Sequence, residues 1–488
     1  MIITTAPVQA PATPEVPSGL LIGGSWRPAS GRATFTVHDP ATDEVLAEVA
    51  DASPGDGVAA IEAAAAAGDA VAALSPRARA QVLRRVEAVV RERIDDLAML
   101  ITREMGKPLA ESRAEVGYAA DYFGWYADEA VRIHGDLRTS PSGTTRIMVQ
   151  HRPVGPCLLV TPWNFPLAMA ARKVAPAIAA GCPSVLKPAE QTPLSSLVLA
   201  QIVADAGALP GTVNVVTTSD AASVVRAIIG SGRARKLSFT GSTAVGKLLL
   251  EQCGRHVMRT SMELGGNAPF IVFEDADLEE AVEGAMIAKL RNMGQACTAA
   301  NRFLVHADVV EEFTARLASR MAALTVGPGW ETGSDIGPLI DDDAVAKHER
   351  LLQDALGRGA ILHTGGHPPD GRFVRPTLIT DVAPGSALLH EEIFAPLAPV
   401  MAFSTEEEAI AMANDTEYGL VGYVFTTDLD RALRAADRIQ TGMLGINLGV
   451  VSNAAAPFGG IKASGLGREG STEGLAEYLD TSYVAVPR

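Results

Sequence analysis

The sequence predicts an α/β protein with largely parallel sheets. From Pro156 onward, short apolar runs alternate with stretches of about a dozen residues at helical spacing. This alternation indicates βαβ units, in which ligands bind at the carboxyl ends of the strands. The chain has 488 residues and is 47% hydrophobic, which is enough for about two or three domains. The candidate strands cover residues 157–160, 184–187, 213–216, 236–240, 269–272 and 302–305.

Two helical regions accompany these strands. The first runs from about Pro76 to Glu104, because apolar residues recur there at helical spacing, and the Gly106–Pro108 segment ends it. The second begins near Asp275 and has acidic residues in its first turn and one apolar face.

The remaining pattern predicts smaller β elements and a flexible end. Residues 131–153 are polar, with a turn at 140–143 and a strand-like run at 145–149, which indicates a hairpin. Residues 483–486 are strand-like and could extend a sheet in this chain or in a neighbouring subunit. Residues 1–20 are rich in Pro, Ala and Thr and predict a flexible extension; they lack the basic and apolar regions of a signal peptide.

Composition excludes several classes of function. The net charge of −16 argues against binding to nucleic acid or to an anionic membrane, both of which need a basic surface. An anionic substrate would need a local cationic pocket. The 4 cysteines do not form a disulfide framework and fit a reducing cytoplasm. No cluster of His or Cys has the spacing of metal ligands, so we expect no metal.

A glycine turn follows the strand at 236–240. Gly241 and Ser242 lead into a helical stretch, and the backbone N–H groups at such a helix start can bind the pyrophosphate of a dinucleotide. The spacing is neither GxGxxG nor a Walker A loop. An ordinary strand–helix turn with Ser242 as the N-cap is the alternative.

Three further residues could carry chemistry. Cys297 lies among small, flexible neighbours and could act as a thiolate nucleophile, or it could be a buried small hydrophobe. Glu263 ends a strand beside two glycines and could activate water, or it could be a surface carboxylate. Asn164 lies in a proline-bounded loop and could donate to an oxyanion, or it could be a turn residue.

Taken together and in order, these motifs resemble the aldehyde dehydrogenase superfamily, and most closely its succinate-semialdehyde dehydrogenases. The matching segments are PWNFP, KPAEQTP, FTGSTAVGK, ELGGNAPFIV, GQAC, EEIFAP and PFGGIKASGLGREG. The resemblance implies a Rossmann-like NAD(P)-binding domain from residues 21–130 and 154–263 and an α/β catalytic domain from residues 264–445. Residues 131–153 and 446–488 would supply a β oligomerisation hairpin, a segment that closes the active site and a C-terminal strand.

The resemblance also implies residue roles. Cys297 would attack the aldehyde, Asn164 and the Cys297 N–H would hold the oxyanion, and Glu263 would activate the water that hydrolyses the thioester. Glu469 matches a second carboxylate that is linked to proton relay. The positions that match cofactor contacts are Trp163, Lys187, Glu190, Gly241, Ser242, Glu392 and Phe394. Glu190 would repel a 2′-phosphate, which favours NAD over NADP.

Three positions resemble the substrate-binding residues of succinate-semialdehyde dehydrogenases: Arg172, Arg291 and Ser452. Two guanidinium groups could grip the distal carboxylate of an anionic semialdehyde. Either arginine could instead form a structural salt bridge. Leu448 and Asn453 depart from that group, so a longer substrate such as glutarate semialdehyde stays open.

The main functional hypothesis is therefore NAD(P)-dependent oxidation of succinate semialdehyde. The alternatives are a broader aliphatic aldehyde dehydrogenase and a non-catalytic binding protein with the same fold. Ester hydrolysis through the same thiol would be a side activity. We expect a cytoplasmic homodimer or homotetramer, with no membrane or nucleic-acid partner.

Overall fold

The computed structural model describes residues 10–488, which form four sheets and the helices that cover them. The strands are β1 (Leu20–Ile22), β2 (Ser25–Arg27), β3 (Thr34–His38), β4 (Val45–Ala50), β5 (Asp136–Thr139), β6 (Thr145–Pro153), β7 (Cys157–Val160), β8 (Ser184–Lys187), β9 (Val213–Val215), β10 (Lys236–Thr240), β11 (Arg259–Glu263), β12 (Ala268–Val272), β13 (Ala300–His306), β14 (Ile361–Thr364), β15 (Thr377–Thr380), β16 (Leu397–Phe403), β17 (Val421–Phe425), β18 (Met443–Ile446), β19 (Gly465–Leu466) and β20 (Leu479–Pro487).

The helices lie mainly between strands, as the alternating pattern predicts. They are α1 (Pro54–Ala72), α2 (Pro76–Glu92), α3 (Ile94–Met105), α4 (Leu109–Ala130), α5 (Pro166–Ala180), α6 (Leu194–Asp205), α7 (Ala221–Gly230), α8 (Thr243–Gly254), α9 (Leu278–Leu290), α10 (Val310–Ala322), α11 (Asp342–Gly357), α12 (Glu406–Asn414), α13 (Leu429–Arg438) and α14 (Ser471–Ala476).

The first large sheet has the order β19-β11-β10-β7-β8-β9-β1-β2. Its five central strands, from β11 to β9, are parallel; β19 and β1 are antiparallel to them, and β2 is antiparallel to β1. Successive strand residues face opposite cores. Leu158 packs with α1 and α7, whereas Leu159 packs with α4, α5 and α6. Both faces are therefore covered, which explains why these strands are apolar runs rather than alternating ones.

The second large sheet has the order β14-β15-β16-β13-β12-β17-β18. It is parallel except for β14. Phe270 faces α9 and α10, and its neighbour Ile271 faces α12 and α13. The chain passes directly from β11 of the first sheet to β12 of the second, so the carboxyl end of β11 lies at the amino end of β12.

The α/β class and the predicted strands are confirmed, but one helix prediction is wrong. The block from Pro76 to Glu104 is two helices, α2 and α3, with Arg93 between them at φ −97° and ψ 24°. Apolar periodicity continues through this break because both helices bury a face against the same core. The helix expected near Asp275 is α9, with Asp277 as its N-cap.

The predicted hairpin and C-terminal strand form one antiparallel sheet, in the order β20-β6-β5. The C-terminal strand pairs with β6 of its own chain, from Leu479 opposite Pro153 to Pro487 opposite Thr145. Of the predicted flexible extension, residues 1–9 lie outside the described residues, and residues 10–18 form no helix or strand. The domain boundaries stay predictions.

Within residues 10–488, no single helix has the length and apolar composition of a membrane span. The pair α1 and α2 meets that test together, with a bend of 119° between the two helices.

Candidate active site

Cys297 lies on an irregular segment between α9 and β13. A 3-10 turn covers Arg291–Gly294, and the chain reaches Cys297 three residues later. Gly294 has φ 74°, and a Cβ there would come within 2.4 Å of the Ala395 carbonyl oxygen. A Cβ on Gly266 would come within 2.5 Å of the Cys297 carbonyl oxygen. These glycines let three backbone segments converge on the thiol.

The Cys297 thiol is partly exposed and lines two cavities. Burial raises its pKa to about 12, and the nearby Arg172 opposes this only in part. The resting sulfur is therefore a thiol rather than a thiolate at neutral pH. A nucleophilic role requires a group that takes its proton.

The first cavity has a volume of about 220 Å³ and contains the three predicted substrate-binding residues. Arg291 lies over the Phe165 ring at 5.3 Å, and its Nη2 donates to Thr298 Oγ1 at 3.2 Å. Among the described residues, no carboxylate forms an ion pair with it. Ser452 lies at the same cavity and is partly exposed.

Arg172 lines the same cavity but has a partner. Its Nε lies 2.8 Å from Glu469 Oε2, and its guanidinium stacks over the Phe458 ring at 3.8 Å. The structure therefore brings the two predicted arginines to one cavity, but only Arg172 forms an ion pair among the described residues.

Two buried carboxylates lie near this thiol and differ in their contacts. Neither oxygen of Glu263 has a hydrogen-bond partner among the described residues. Burial and the neighbouring Glu469 raise the pKa of Glu263 well above its usual value. Burial would also raise the pKa of Glu469, but contacts with Lys173 and Arg172 outweigh it and lower that pKa. Glu263 is thus the better proton acceptor.

Asn164 follows β7 in the loop that precedes α5. Its Nδ2 donates to the Gln295 carbonyl at 3.0 Å, and its own carbonyl accepts from Lys107 Nζ at 2.8 Å. These bonds hold the Asn164 side chain beside the Cys297 segment, on the cavity that Cys297 and Glu263 also line.

The second cavity, of about 330 Å³, has the features of a dinucleotide site. Gly241 and Ser242 join β10 to α8, and Ser242 Oγ caps the helix by accepting from Val245 N, so the N-cap alternative is also correct. A Cβ on Gly241 would come within 2.5 Å of the Phe239 ring. The free N–H groups at the start of α8 suit a pyrophosphate, so these residues fit the cofactor that the sequence implies.

Most predicted cofactor residues lie at this cavity. Trp163 and Phe394 meet edge to face, with ring centroids 5.5 Å apart, and Glu392 Oε1 accepts from Gly266 N at 3.0 Å. Lys187 and Glu190 do not line it. Lys187 is the last residue of β8, and its Nζ is 3.5 Å from Glu190 Oε2 in the segment that follows. Glu190 lines an adjoining cavity that shares Ile340 and Asp341 with this one.

Sequence analysis missed three charged residues near the substrate cavity. Lys173 is fully buried against Glu469, and Glu111 and Glu115 of α4 line the cavity wall. The spacing of four between the two glutamates, which places them on one helix face, was the available signal. Across residues 10–488, no group of His, Cys, Asp and Glu side chains is placed to hold a metal ion.

A thiol that lines both a cavity suited to a dinucleotide and a small cavity with two arginines is the arrangement expected of a nicotinamide-dependent oxidoreductase. Residues 26–484 match the family described as the aldehyde dehydrogenase family, and the chain belongs to it. It is an NAD(P)-dependent enzyme that oxidises aldehydes.

Individual relatives cover almost the whole chain. A succinate-semialdehyde dehydrogenase of Paenarthrobacter nicotinovorans is 54% identical over 91% of this chain and 99% of its own length. A glutarate-semialdehyde dehydrogenase of Pseudomonas putida is 48% identical over 95% and 97%. The crystal structure of a succinate-semialdehyde dehydrogenase from Burkholderia pseudomallei superposes with a TM-score of 0.95, at 47% identity, covering 97% of this chain and 98% of that one. The predicted aldehyde dehydrogenase fold is confirmed.

Proposed function

We propose that the enzyme oxidises succinate semialdehyde to succinate. One observation carries this proposal: the cavity that contains the Cys297 thiol also contains the guanidinium of Arg291, which forms no ion pair with a carboxylate within residues 10–488. Arg291 is partly exposed at this cavity, and a guanidinium without an ion-paired carboxylate is a natural partner for the carboxylate of a ligand. Ser452 adds a hydroxyl on the same cavity.

Arg172 contributes less directly to this recognition. Its ion pair with Glu469 and its stacking on Phe458 already satisfy much of its charge and surface. The structural alternative for an arginine therefore fits Arg172 better than Arg291. We infer that Arg291 and Ser452 bind the substrate carboxylate and that Arg172 shapes the cavity wall.

The covalent chemistry follows from three residues. Cys297 Sγ attacks the aldehyde carbon, and its proton passes to Glu263, whose raised pKa makes it an effective acceptor. The negative charge that develops on the aldehyde oxygen is stabilised by N–H groups of Asn164 Nδ2 and the Cys297 backbone. NAD(P), when bound, accepts the hydride of the aldehyde carbon.

Glu263 acts a second time in the hydrolytic half of the reaction. Once it has released the Cys297 proton to solvent, it takes a proton from water, which attacks the thioester on Cys297; the C–S bond breaks, the carboxylic acid product leaves and the proton returns to the Cys297 thiolate. Glu469 stays ionised between Lys173 and Arg172. We infer that it supports Glu263 by raising its pKa, in addition to the proton-relay role that the resemblance implies.

The cofactor would contact Trp163, Gly241, Ser242, Glu392 and Phe394 in the second cavity. Lys187 and Glu190 would reach the adenine ribose, and the Glu190 carboxylate would accept bonds from both ribose hydroxyls but repel a 2′-phosphate. We therefore propose that NAD is preferred over NADP.

Glutarate semialdehyde is the second candidate substrate. It differs from succinate semialdehyde by one methylene, and a relative at 48% identity is named for it. One methylene in a binding site changes specificity by only about 10- to 200-fold, so both substrates can be used at different rates.

Steady-state reduction of NAD and NADP with matched aldehydes tests the proposal. Succinate semialdehyde is compared with butanal, and glutarate semialdehyde with pentanal, which differ only in the carboxylate. We expect kcat/KM to favour the anionic aldehyde by about a hundredfold or more, or roughly 2.7 kcal/mol. Equal values for the anionic and neutral aldehydes would remove the substrate proposal while leaving aldehyde oxidation intact. The kcat/KM values measured with NAD and with NADP then show which cofactor is preferred.

We also propose how the enzyme assembles and in which compartment it acts. The sheet β20-β6-β5 has two edge strands with exposed side chains, among them Leu137 of β5 and Tyr483 of β20. Unpaired strand edges are templates for association, so we infer a homodimer or homotetramer that uses this sheet. The 4 cysteines of the chain are all free thiols, which supports a reducing compartment such as the cytoplasm. Light scattering of the purified enzyme measures its subunit number.

A further inference from the structure

The segment that presents Cys297 contains two strained residues. Asn292 (φ 55°, ψ 37°) and Met293 (φ 55°, ψ 28°) both adopt the left-handed conformation. This conformation costs about 1–2 kcal/mol for a residue such as Met293 and less for an asparagine, which adopts it more readily. Two such residues in succession persist only where surrounding contacts hold them.

Those contacts come from distant parts of the chain. The Asn292 backbone N–H donates to Glu111 Oε2 at 2.6 Å, across 181 positions of sequence. The Asn292 side chain donates to the carbonyls of Asn164 at 3.0 Å and Gln295 at 2.8 Å. Two of the three contacts thus tie the turn to α4 and to the Asn164 loop, and the contact with Glu111 is the shortest.

Glu111 is well placed to hold this turn. It lies in the first turn of α4, where the helix dipole favours a negative charge. A bond from a backbone N–H to a carboxylate is charge-assisted and stronger than a neutral one. The acceptor therefore belongs to a rigid element rather than to the Cys297 segment itself.

Glu111 also lines the cavity that contains Arg291 and Cys297, which raises a competing role. A carboxylate at that position could tune the affinity for an anionic substrate through its charge. The direct contact with the Asn292 N–H favours a mechanical role, because this contact requires the length of the glutamate side chain rather than its charge alone.

We propose that Glu111 is a positioning residue: by accepting from the Asn292 N–H it holds the left-handed turn that places Cys297 for attack on the aldehyde. This inference rests on the proposed role of Cys297 as the nucleophile. It assigns no contact between Glu111 and the substrate or cofactor.

Two substitutions of Glu111 distinguish the effect of its side-chain length from the effect of its charge. Glu111→Asp keeps the charge but shortens the side chain by one methylene, so it should lose the bond to Asn292. Glu111→Gln removes the charge but keeps an acceptor at the same reach. Asp121→Asn, on the exposed side of the same helix, is the matched control for removing a carboxylate from α4.

Kinetics with succinate semialdehyde and butanal, and hydrogen–deuterium exchange of the peptide covering residues 290–297, supply the readouts. For Glu111→Asp we expect kcat to fall about tenfold or more for both aldehydes, since small displacements of a reacting group carry losses of this size or larger. KM should change little and amide exchange should accelerate. Glu111→Gln should recover most of the lost rate and protection, and Asp121→Asn should match the wild type.

The opposite pattern overturns the proposal. A normal Glu111→Asp enzyme, an impaired Glu111→Gln enzyme, or a loss confined to the anionic aldehyde would each show that charge or substrate contact is what matters. Cys297→Ala tests the premise separately: if that variant still oxidises aldehydes, the proposed function fails. If it is inactive while Glu111→Asp is normal, only the positioning role fails.

Discussion

The charged groups around Glu469 and those around Cys297 differ in whether they have partners. Glu469 contacts Arg172 and Lys173, so each of these buried charges has a partner. Glu263 has no hydrogen-bond partner, and Arg291 has no ion-paired carboxylate, within the part of the chain that the structure describes. Glu263 is buried, and buried polar groups without partners are rare in native proteins. We infer from this difference that the paired groups form the wall of the site, whereas Glu263 and Arg291 are free to contact a substrate.

The largest expected effect falls on the unpaired carboxylate. Glu263→Gln should slow steady-state turnover by about 10²- to 10⁴-fold, the usual range for a general base. Because Glu263 takes a proton in both halves of the proposed reaction, the first turnover and the later thioester hydrolysis should both slow. Stopped-flow absorbance measures both phases. A first turnover at the wild-type rate, giving a burst of one reduced cofactor per active site, would confine the role of Glu263 to hydrolysis.

The oxyanion donor comes next in size. Asn164→Ala should lower kcat by about 10²- to 10³-fold, as for the loss of one oxyanion-hole donor. Its side chain also donates to the Gln295 carbonyl, so Asn164→Asp, which keeps the shape but cannot donate, is the companion variant. Steady-state kinetics of both variants check the role. A loss below about tenfold in each would count against it.

The two arginines give the most direct test of the comparison. Arg291→Ala should lower kcat/KM for succinate semialdehyde by about 10- to 100-fold, the value of a charge-assisted hydrogen bond, and leave butanal nearly unaffected. Arg172→Ala should lower kcat/KM for both aldehydes alike, because it removes the partner of Glu469. Parallel kinetics on the two substrates decide between them. If Arg172→Ala is the selective variant, our assignment of the two roles is reversed.

The smallest effect concerns pH. Burial and Glu469 hold the pKa of Glu263 well above its usual value, so the rate of thioester hydrolysis should rise with pH as Glu263 ionises. Glu469→Gln removes a negative charge and frees Lys173 and Arg172, and all three changes lower the pKa of Glu263. The pH at which the hydrolysis rate rises should then be lower by about one unit. The pH profile of the rate of thioester hydrolysis measures this shift, with Asp121→Asn as the control. A shift of the profile to higher pH contradicts the electrostatic role of Glu469.

Much of the fold follows from local sequence. The strands from β7 to β10 are apolar runs because both faces of their sheet are covered, and such runs are visible without a structure. The break at Arg93 was not predicted, since α2 and α3 bury faces in the same core and so keep one periodicity. The pairing of β20 with β6 in the same chain also depended on tertiary structure, because strand propensity does not identify a partner.

For the site, the sequence by itself determined which groups could react: Cys297, Glu263 and Asn164 are recognisable from motifs that follow strands or helices. The tertiary structure decided how each group is used. It paired Arg172 with Glu469 across 297 positions of sequence, left Arg291 unpaired, and brought Glu111 to the Asn292 N–H. The physical reason is that charge compensation and backbone strain depend on which distant segments meet when the two large sheets pack together, and local sequence carries little information about those meetings.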